Sequence, residues 1–259
     1  MSVPQHITSR ENAWLKDLRR LSQDSRAYRK RGEVWLEGEH LVDALVRKAH
    51  PVQTLVCAAS AWAELPAAWR SLGAQQVILP DALFAGLSAL DAPARVGAVV
   101  RLPETPTIDP HQATVVLDRV QDAGNVGAIL RSAAAFGFSQ VLALQGTAAL
   151  WSPKVVRAGM GAHLSLRLCE GLAVADLAAL RVPLLATSSH QGPFLHEVVA
   201  QGALPHPAAW GLGHEGQGVA PELLARAQQT VRIIQPGGEE SLNVAAAAAI
   251  CLHASASRL

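Results

Sequence analysis

Cysteine is scarce in this sequence: Cys57, Cys169 and Cys251 are the only three in 259 residues, far apart and set among apolar neighbours. No CxxC pair occurs, and the ten histidines are scattered, so neither a disulfide framework nor a metal site is expected. Long apolar runs are also missing. The nearest approach, "SLNVAAAAAICLHASA", is too short and too rich in alanine to cross a bilayer. The first residues lack the apolar stretch of a signal peptide, and a cytoplasmic protein with no membrane segment is the expectation. Neither sign of charge dominates, since the formal net charge is only +1. The chain as a whole is therefore not a polycation.

That near-neutrality hides an asymmetry. Residues 10 to 31 hold eight Arg or Lys against three acids, which gives +5 there and −4 elsewhere. Such a segment is either a polyanion-binding face or the solvated side of a helix. Within it, Arg26, Arg29, Lys30 and Arg31 are the candidate phosphate contacts.

Half of the residues are hydrophobic, enough for one large or two modest cores. Three prolines in "RLPETPTIDPH", residues 101–111, disfavour helix and remove ladder donors, so a domain boundary is placed there. The division is 1–102, a linker over 103–111, and 112–259. In the first part, "RENAWLKDLRRL" and "EHLVDALVRKA" have helical apolar spacing, while "EVWLEG", "VQTLVCA", "QQVILP" and "ARVGAVVRL" read as strands of a small αβ domain. In the second, "ATVVLDRV", "SQVLALQ", "LSLRLC", "VPLLATSS", "AAWGLG" and "TVRIIQ" are apolar runs separated by helical stretches. This alternation implies a mostly parallel sheet covered on both faces. Ligands of such sheets sit at the carboxyl ends of the strands.

Three loops at those ends carry polar residues that the fold alone does not require. "DAGNVGAILRSAAAFGF", residues 122–138, offers Asn125, either a helix N-cap or a ligand contact, and Arg131, whose guanidinium among Ala, Ile, Leu and Phe wants a phosphate, carboxylate or ligand. That stretch spells neither GxGxxG nor GxxxxGK[ST], which sets aside a dinucleotide oxidoreductase and P-loop ATP hydrolysis. "WGLGHEGQGV", residues 210–219, packs four glycines around His214 and Glu215, an orienting carboxylate or a salt-bridge partner. "IIQPGGEESLNVAAAAAICLH", residues 233–253, opens a helix with Ser241, Leu242 and Asn243, Ser241 being the expected N-cap.

These three segments resemble motifs 1, 2 and 3 of the SpoU (TrmH-type) branch of the SPOUT RNA methyltransferases, in the same order. "YRKRGEVWLEGEHLVDAL" is similar to the ribosomal-protein-like substrate-binding domain that precedes the catalytic domain in many members. The resemblance implies an α/β fold with a C-terminal deep trefoil knot, one of the rare departures from unknotted topology. It implies S-adenosylmethionine (AdoMet) as cofactor, RNA as partner and a homodimer whose site draws on two chains. The reaction it implies is methyl transfer to a ribose 2′-hydroxyl, on ribosomal RNA before transfer RNA, with a catalytically silent RNA-binding relative as the alternative. By matching position it assigns Arg131 to the hydroxyl, as base or as electrostatic stabiliser, and Asn125, Glu215, Ser241 and Asn243 to orienting it. Gly213, Ile233, Leu242 and Thr187 fall at cofactor-contacting places. Two departures stand out. Ile233-Ile234-Gln235 replaces the usual Ile-Pro-Met, and His214 stands where Asn is common.

Overall fold

Continuous apolar runs become buried strands here because both faces of each sheet are covered. The computed structural model describes residues 3–88, 94–237 and 241–257. It divides into two compact units, Met1–Glu104 with Trp151–Leu164, and Thr105–Leu150 with Ser165–Leu259.

The first unit contains β1 (Gln5–His6), α1 (Ala13–Gln23), α2 (Ala27–Arg31), β2 (Glu33–Glu37), α3 (Glu39–Arg47), β3 (Thr54–Ala58), α4 (Ala67–Arg70), β4 (Gln75–Leu79), α5 (Asp81–Ala85) and β5 (Val96–Arg101). Its mixed sheet has the order β1-β4-β3-β5-β2. Asn12 caps α1 by accepting from the Leu15 amide at 3.1 Å, and Leu15, Leu18 and Leu21 bury the face that the apolar spacing foretells.

The second unit is built from β6 (Thr114–Leu117), α6 (Ala123–Ala135) and β7 (Gln140–Leu144). After α7 (Pro153–Gly159) it continues with β8 (Arg167–Leu172), β9 (Leu184–Thr187), α8 (Leu195–Ala200), β10 (Ala209–Leu212), α9 (Pro221–Leu224), β11 (Gln229–Val231) and α10 (Val244–Ala256). All six strands run parallel in the order β11-β9-β10-β6-β7-β8. Val116, Leu142, Leu184, Ala209 and Leu223 belong to one buried cluster. Helix α10 lies against α6 and β10, where the Trp210 indole donates to Ser255 Oγ at 2.9 Å in a fully buried bond.

The α/β class and the parallel sheet match the sequence-based expectation. Three boundaries differ. Helix α7 clusters with the first unit, because its buried Val155 and Val156 belong to a segment packed on β2 and α1, and an apolar pattern cannot say which sheet it will cover. Strand β8 begins at Arg167, since Ala162–Ser165 form a 3₁₀ turn. The run "TVRIIQ" pairs with β9 only as far as Val231, and Arg232 bridges instead to Phe194, its backbone amide donating to the Pro193 carbonyl. Among the described residues no helix is long and apolar enough to cross a membrane.

One buried polar side chain fastens the proline-rich segment to the sheet. Gln140 Oε1 accepts from the Asp109 amide at 2.8 Å, and its Nε2 donates to the Asp109 carbonyl at 3.1 Å and to Thr114 Oγ1 at 2.9 Å. Gln140→Leu removes all three bonds at a fully buried position, so denaturant unfolding is expected to show a loss of about 2–4 kcal/mol. An unchanged midpoint would mean that water or a shifted backbone replaces them.

Candidate functional site

Parallel strands place all their carboxyl ends on one edge, and the order β11-β9-β10-β6 makes the loops that follow these four strands neighbours. The loop after β10 is drawn shut by its own backbone: His214 and Gly218 exchange both amide-to-carbonyl bonds, at 3.0 and 2.8 Å. A Cβ on Gly213 would stand 2.1 Å from Gly218 C and Val219 N, so only glycine fits there. His214 Nδ1 accepts from the amides of Gly216 and Gln217 at 3.0 and 3.2 Å. The tip so formed presents Glu215.

Glu215 reaches to the opening of α6. One carboxylate oxygen accepts from the Asp122 amide at 3.0 Å and from Asn125 Nδ2 at 3.2 Å, and the other from the Gln121 amide at 3.3 Å. Asn125 Oδ1 in turn accepts from Asn243 Nδ2 at 2.8 Å, while Asn243 Oδ1 accepts from the amides of Ala245 and Ala246. Glu215, Asn125 and Asn243, one residue from each polar loop, thus form a single hydrogen-bonded string.

The caps decide one open alternative and overturn one expectation. Asp122, not Asn125, caps α6 by accepting from the Asn125 amide at 2.8 Å. Asn243, not Ser241, caps α10. In each case a carboxylate or amide nearer the helix start captures the free amides and releases or redirects the side chain named from sequence.

Other candidates lie outside the string. Arg131 is exposed in the third turn of α6, and among the described residues neither its side chain nor that of Ser241 has a hydrogen-bond or ion-pair partner. Thr187 Oγ1 donates to the Gly211 carbonyl at 3.3 Å. Ile233 is half-buried, and Leu242 is 39% exposed. In the first unit Arg26, Arg29 and Lys30 are exposed, Arg29 leaning over Tyr28 with its Nε donating to the phenol oxygen at 2.9 Å. Arg31 is tied into ion pairs with Asp17 at 2.6 Å and Glu33 at 3.1 Å, which braces α2 against its neighbours.

Two residues of the site escape a sequence reading. Asp118 is buried and accepts from the Ala220 amide at 2.6 Å and from Arg119 Nε at 2.9 Å. Arg119 adopts a left-handed φ of +58° and donates onward to Gln217 Oε1 at 2.8 Å. Together they bind the loop after β10 to the end of β6. The only signal in the sequence is two opposite charges directly behind an apolar run. The glycine spacing GxGxxG does occur at 211–216, which qualifies the exclusion drawn from residues 122–138. Its setting is wrong for a dinucleotide, because the last glycine lies in the bridged loop and opens no helix. Among the described residues no three His, Cys, Asp or Glu side chains converge on a metal position.

Comparison with known proteins agrees with this geometry. The SpoU rRNA methylase family matches residues 112–253. Over 252 residues the chain is 28% identical to the 23S rRNA (guanosine(2553)-2′-O)-methyltransferase RlmP of Bacillus subtilis, covering 95% of this chain and 97% of that one. It is 31% identical over 257 residues to an uncharacterized tRNA/rRNA methyltransferase of Synechocystis, covering 95% and 92%. The AdoMet-bound rRNA methyltransferase of Sinorhizobium meliloti superposes with a TM-score of 0.83 at 26% identity, over 98% of both chains.

The Glu215 bonds carry a pH signature. Burial pushes its carboxyl upward, but the Asp122 amide, its own backbone, Asn125 and the Gln121 amide outweigh this and hold it below the ordinary value of 4.5. A group whose folded pKa lies below its unfolded one adds stability above the unfolded pKa and loses it as pH falls through the folded value. The thermal midpoints of wild type and Glu215→Gln are therefore expected to differ by a constant amount at neutral pH and to converge below 4.5. A difference that persists in acid would show that the charge is not what holds the loop.

Proposed function

Because this chain belongs to the SpoU rRNA methylase family, we infer that it transfers a methyl group from AdoMet to a ribose 2′-hydroxyl of structured RNA, ribosomal RNA in the first place. The observation that carries this reading is the Glu215–Asn125–Asn243 string, which joins the three polar loops at the sheet edge where such a fold binds its ligand. The Bacillus relative, which methylates 23S rRNA, favours ribosomal over transfer RNA. All five residues assigned to chemistry are present, which argues against a silent relative.

The edge suits the cofactor. Ile234 and Leu242, 50% and 39% exposed, flank the third loop and would gain by covering a planar, largely apolar group. Gly213, Ile233, Leu242 and Thr187 are the residues assigned to hold it. AdoMet supplies an electrophilic methyl on sulfonium.

The protein's task is to orient a weak nucleophile and stabilise the charge that grows on it. Arg131, exposed and without a partner among the described residues, is free to take the ribose or its phosphate. Its pKa in free form lies above about 12, so stabilisation of the developing oxyanion suits it better than proton abstraction. Its separation from Asn125, six residues or roughly 9 Å along the helix, fits a site completed by the Arg131 of a second copy. Small Ala246 and Ala249 beside exposed Ile250 on α10 support such a homodimer. The trefoil knot, the cytoplasmic location and the role of residues 1–102 as the RNA-selecting part belong to the same reading.

Arg131→Ala is expected to lower turnover by about 10²–10³ while leaving AdoMet affinity within a few-fold. Undiminished turnover would remove Arg131 from the chemistry. Reversing Arg26, Arg29 and Lys30 to Glu is expected to weaken RNA binding and flatten the slope of log K against log salt by roughly 2–3, at about 0.7–0.9 per phosphate contact. An intact slope would reduce the basic segment to a solvated face.

A further inference from the structure

Among the described residues, a left-handed backbone at a residue other than glycine occurs at Ala49, Arg119 and Met160. Ala49 and Met160 belong to the first unit, so Arg119, just behind β6, is the one such place described in the second. A side chain keeps that conformation only where its surroundings over-determine it, and such places gather at functional sites. Here the surroundings are the loops after β7 and β10. The Arg119 amide donates to Thr147 Oγ1 at 3.1 Å, and Thr147 in turn donates to the Leu117 carbonyl at 3.0 Å. A Cβ on Gly146 would stand 3.0 Å from Arg119 Cγ, so the loop after β7 lies directly on the arginine stem. The guanidinium takes the loop after β10. Its Nε and Nη2 donate to the two Asp118 carboxylate oxygens at 2.9 and 3.2 Å, Nη1 donates to Gln217 Oε1 at 2.8 Å, and Nη2 reaches the Gly218 carbonyl at 3.4 Å.

We propose that Arg119 is a positioning residue for methyl transfer: it clamps Gln217 and Gly218 to Asp118 and so fixes the turn from which Glu215 reaches Asn125. The proposal rests on the methyltransferase reading and adds to it a side chain outside those assigned to chemistry. Glu215 stands inside the turn that the His214–Gly218 backbone pair closes, just ahead of Gln217. Its bonds to the Gln121 and Asp122 amides therefore require the far limb of that turn to stay in place. Asp118 holds the same limb once more at the Ala220 amide, at 2.6 Å. Four of the five donors of the Arg119 fork are committed in this way, which separates it from Arg131 and makes it a brace and not a substrate contact. A misplacement of about 1 Å in a group that orients a reacting hydroxyl is enough to cost about 10²-fold in rate.

Three readouts decide the matter: methyl transfer from radiolabelled AdoMet to transcribed small- and large-subunit ribosomal RNA at saturation, calorimetric AdoMet affinity, and the thermal midpoint. Arg119→Gly removes the fork, while glycine accepts the left-handed backbone without strain, so the fold should persist with a midpoint within a few degrees of wild type. Turnover is expected to fall about 10–10²-fold, with AdoMet affinity within about threefold. Gln217→Leu, which takes away only the acceptor on the loop, should lose about tenfold, and Gln217→Glu, which keeps an acceptor, should stay within about threefold of wild type. The double variant Arg119→Gly with Gln217→Leu should be no slower than Arg119→Gly alone, since both changes open one clamp. Wild-type turnover in Arg119→Gly overturns the proposal, as do single losses that simply multiply in the double variant. Turnover that falls only together with a collapsed midpoint, in Arg119→Gly and Gln217→Leu alike, also overturns it, because the arginine would then hold the fold and not the reaction. A wild type that methylates neither transcript overturns the ribosomal methyltransferase reading itself, and the proposal with it.

Discussion

A carboxylate laid across the amides at the start of a helix organises this protein's second unit. Glu215 meets the amides of Gln121 and Asp122 at the opening of α6, where unpaired N–H groups and the helix dipole favour negative charge. The rest of the edge depends on that contact. It sets where the loop after β10 ends, it turns Asn125 toward Asn243, and it leaves the cap position to Asp122. On the inner side Asp118 repeats the device with the Ala220 amide, so the same loop is gripped at its tip and at its exit by two carboxylates from different strand ends. Glycine at 213 is the condition for both, since a side chain would force the loop open between them.

Much of this architecture was legible in the sequence because period and polarity are local. The strands over 33–37, 54–58, 114–117 and 209–212 coincide with apolar runs buried on both faces, and α1 and α3 follow their apolar spacing. What stayed hidden depends on partners distant in sequence. Whether Asn125 caps a helix is decided by Asp122 competing for the same amide. That Arg31 braces the first unit is decided by Asp17 and Glu33, partners that a basic run read from composition does not reveal. Asp118 and Arg119 looked like the ordinary polar end of a strand until their partners 98 and 102 residues away were known.

The division of labour between the loops is also physical. The loops after β6 and β10 are tied together by side-chain and backbone hydrogen bonds, whereas the third leaves apolar Ile234 and Leu242 on view. A rigid part can orient a reacting hydroxyl, and an apolar part left open can take a base. Arg131 stands apart from both, on a regular helix that fixes its backbone while its side chain has no partner among the described residues.

The Asn125–Asn243 bond joins residues 118 positions apart, and it carries a consequence for time. A chain emerging from the ribosome at about 5–20 residues per second exposes its first polar loop roughly 6–24 s before the third exists. Throughout that interval the α6 face destined for α10 is bare. A ribosome that has not yet reached Asn243 therefore carries a nascent chain whose basic segment over residues 10–31 is already made but whose string is not assembled. The first and second polar loops thus have to wait, already made, for the third before the string can close.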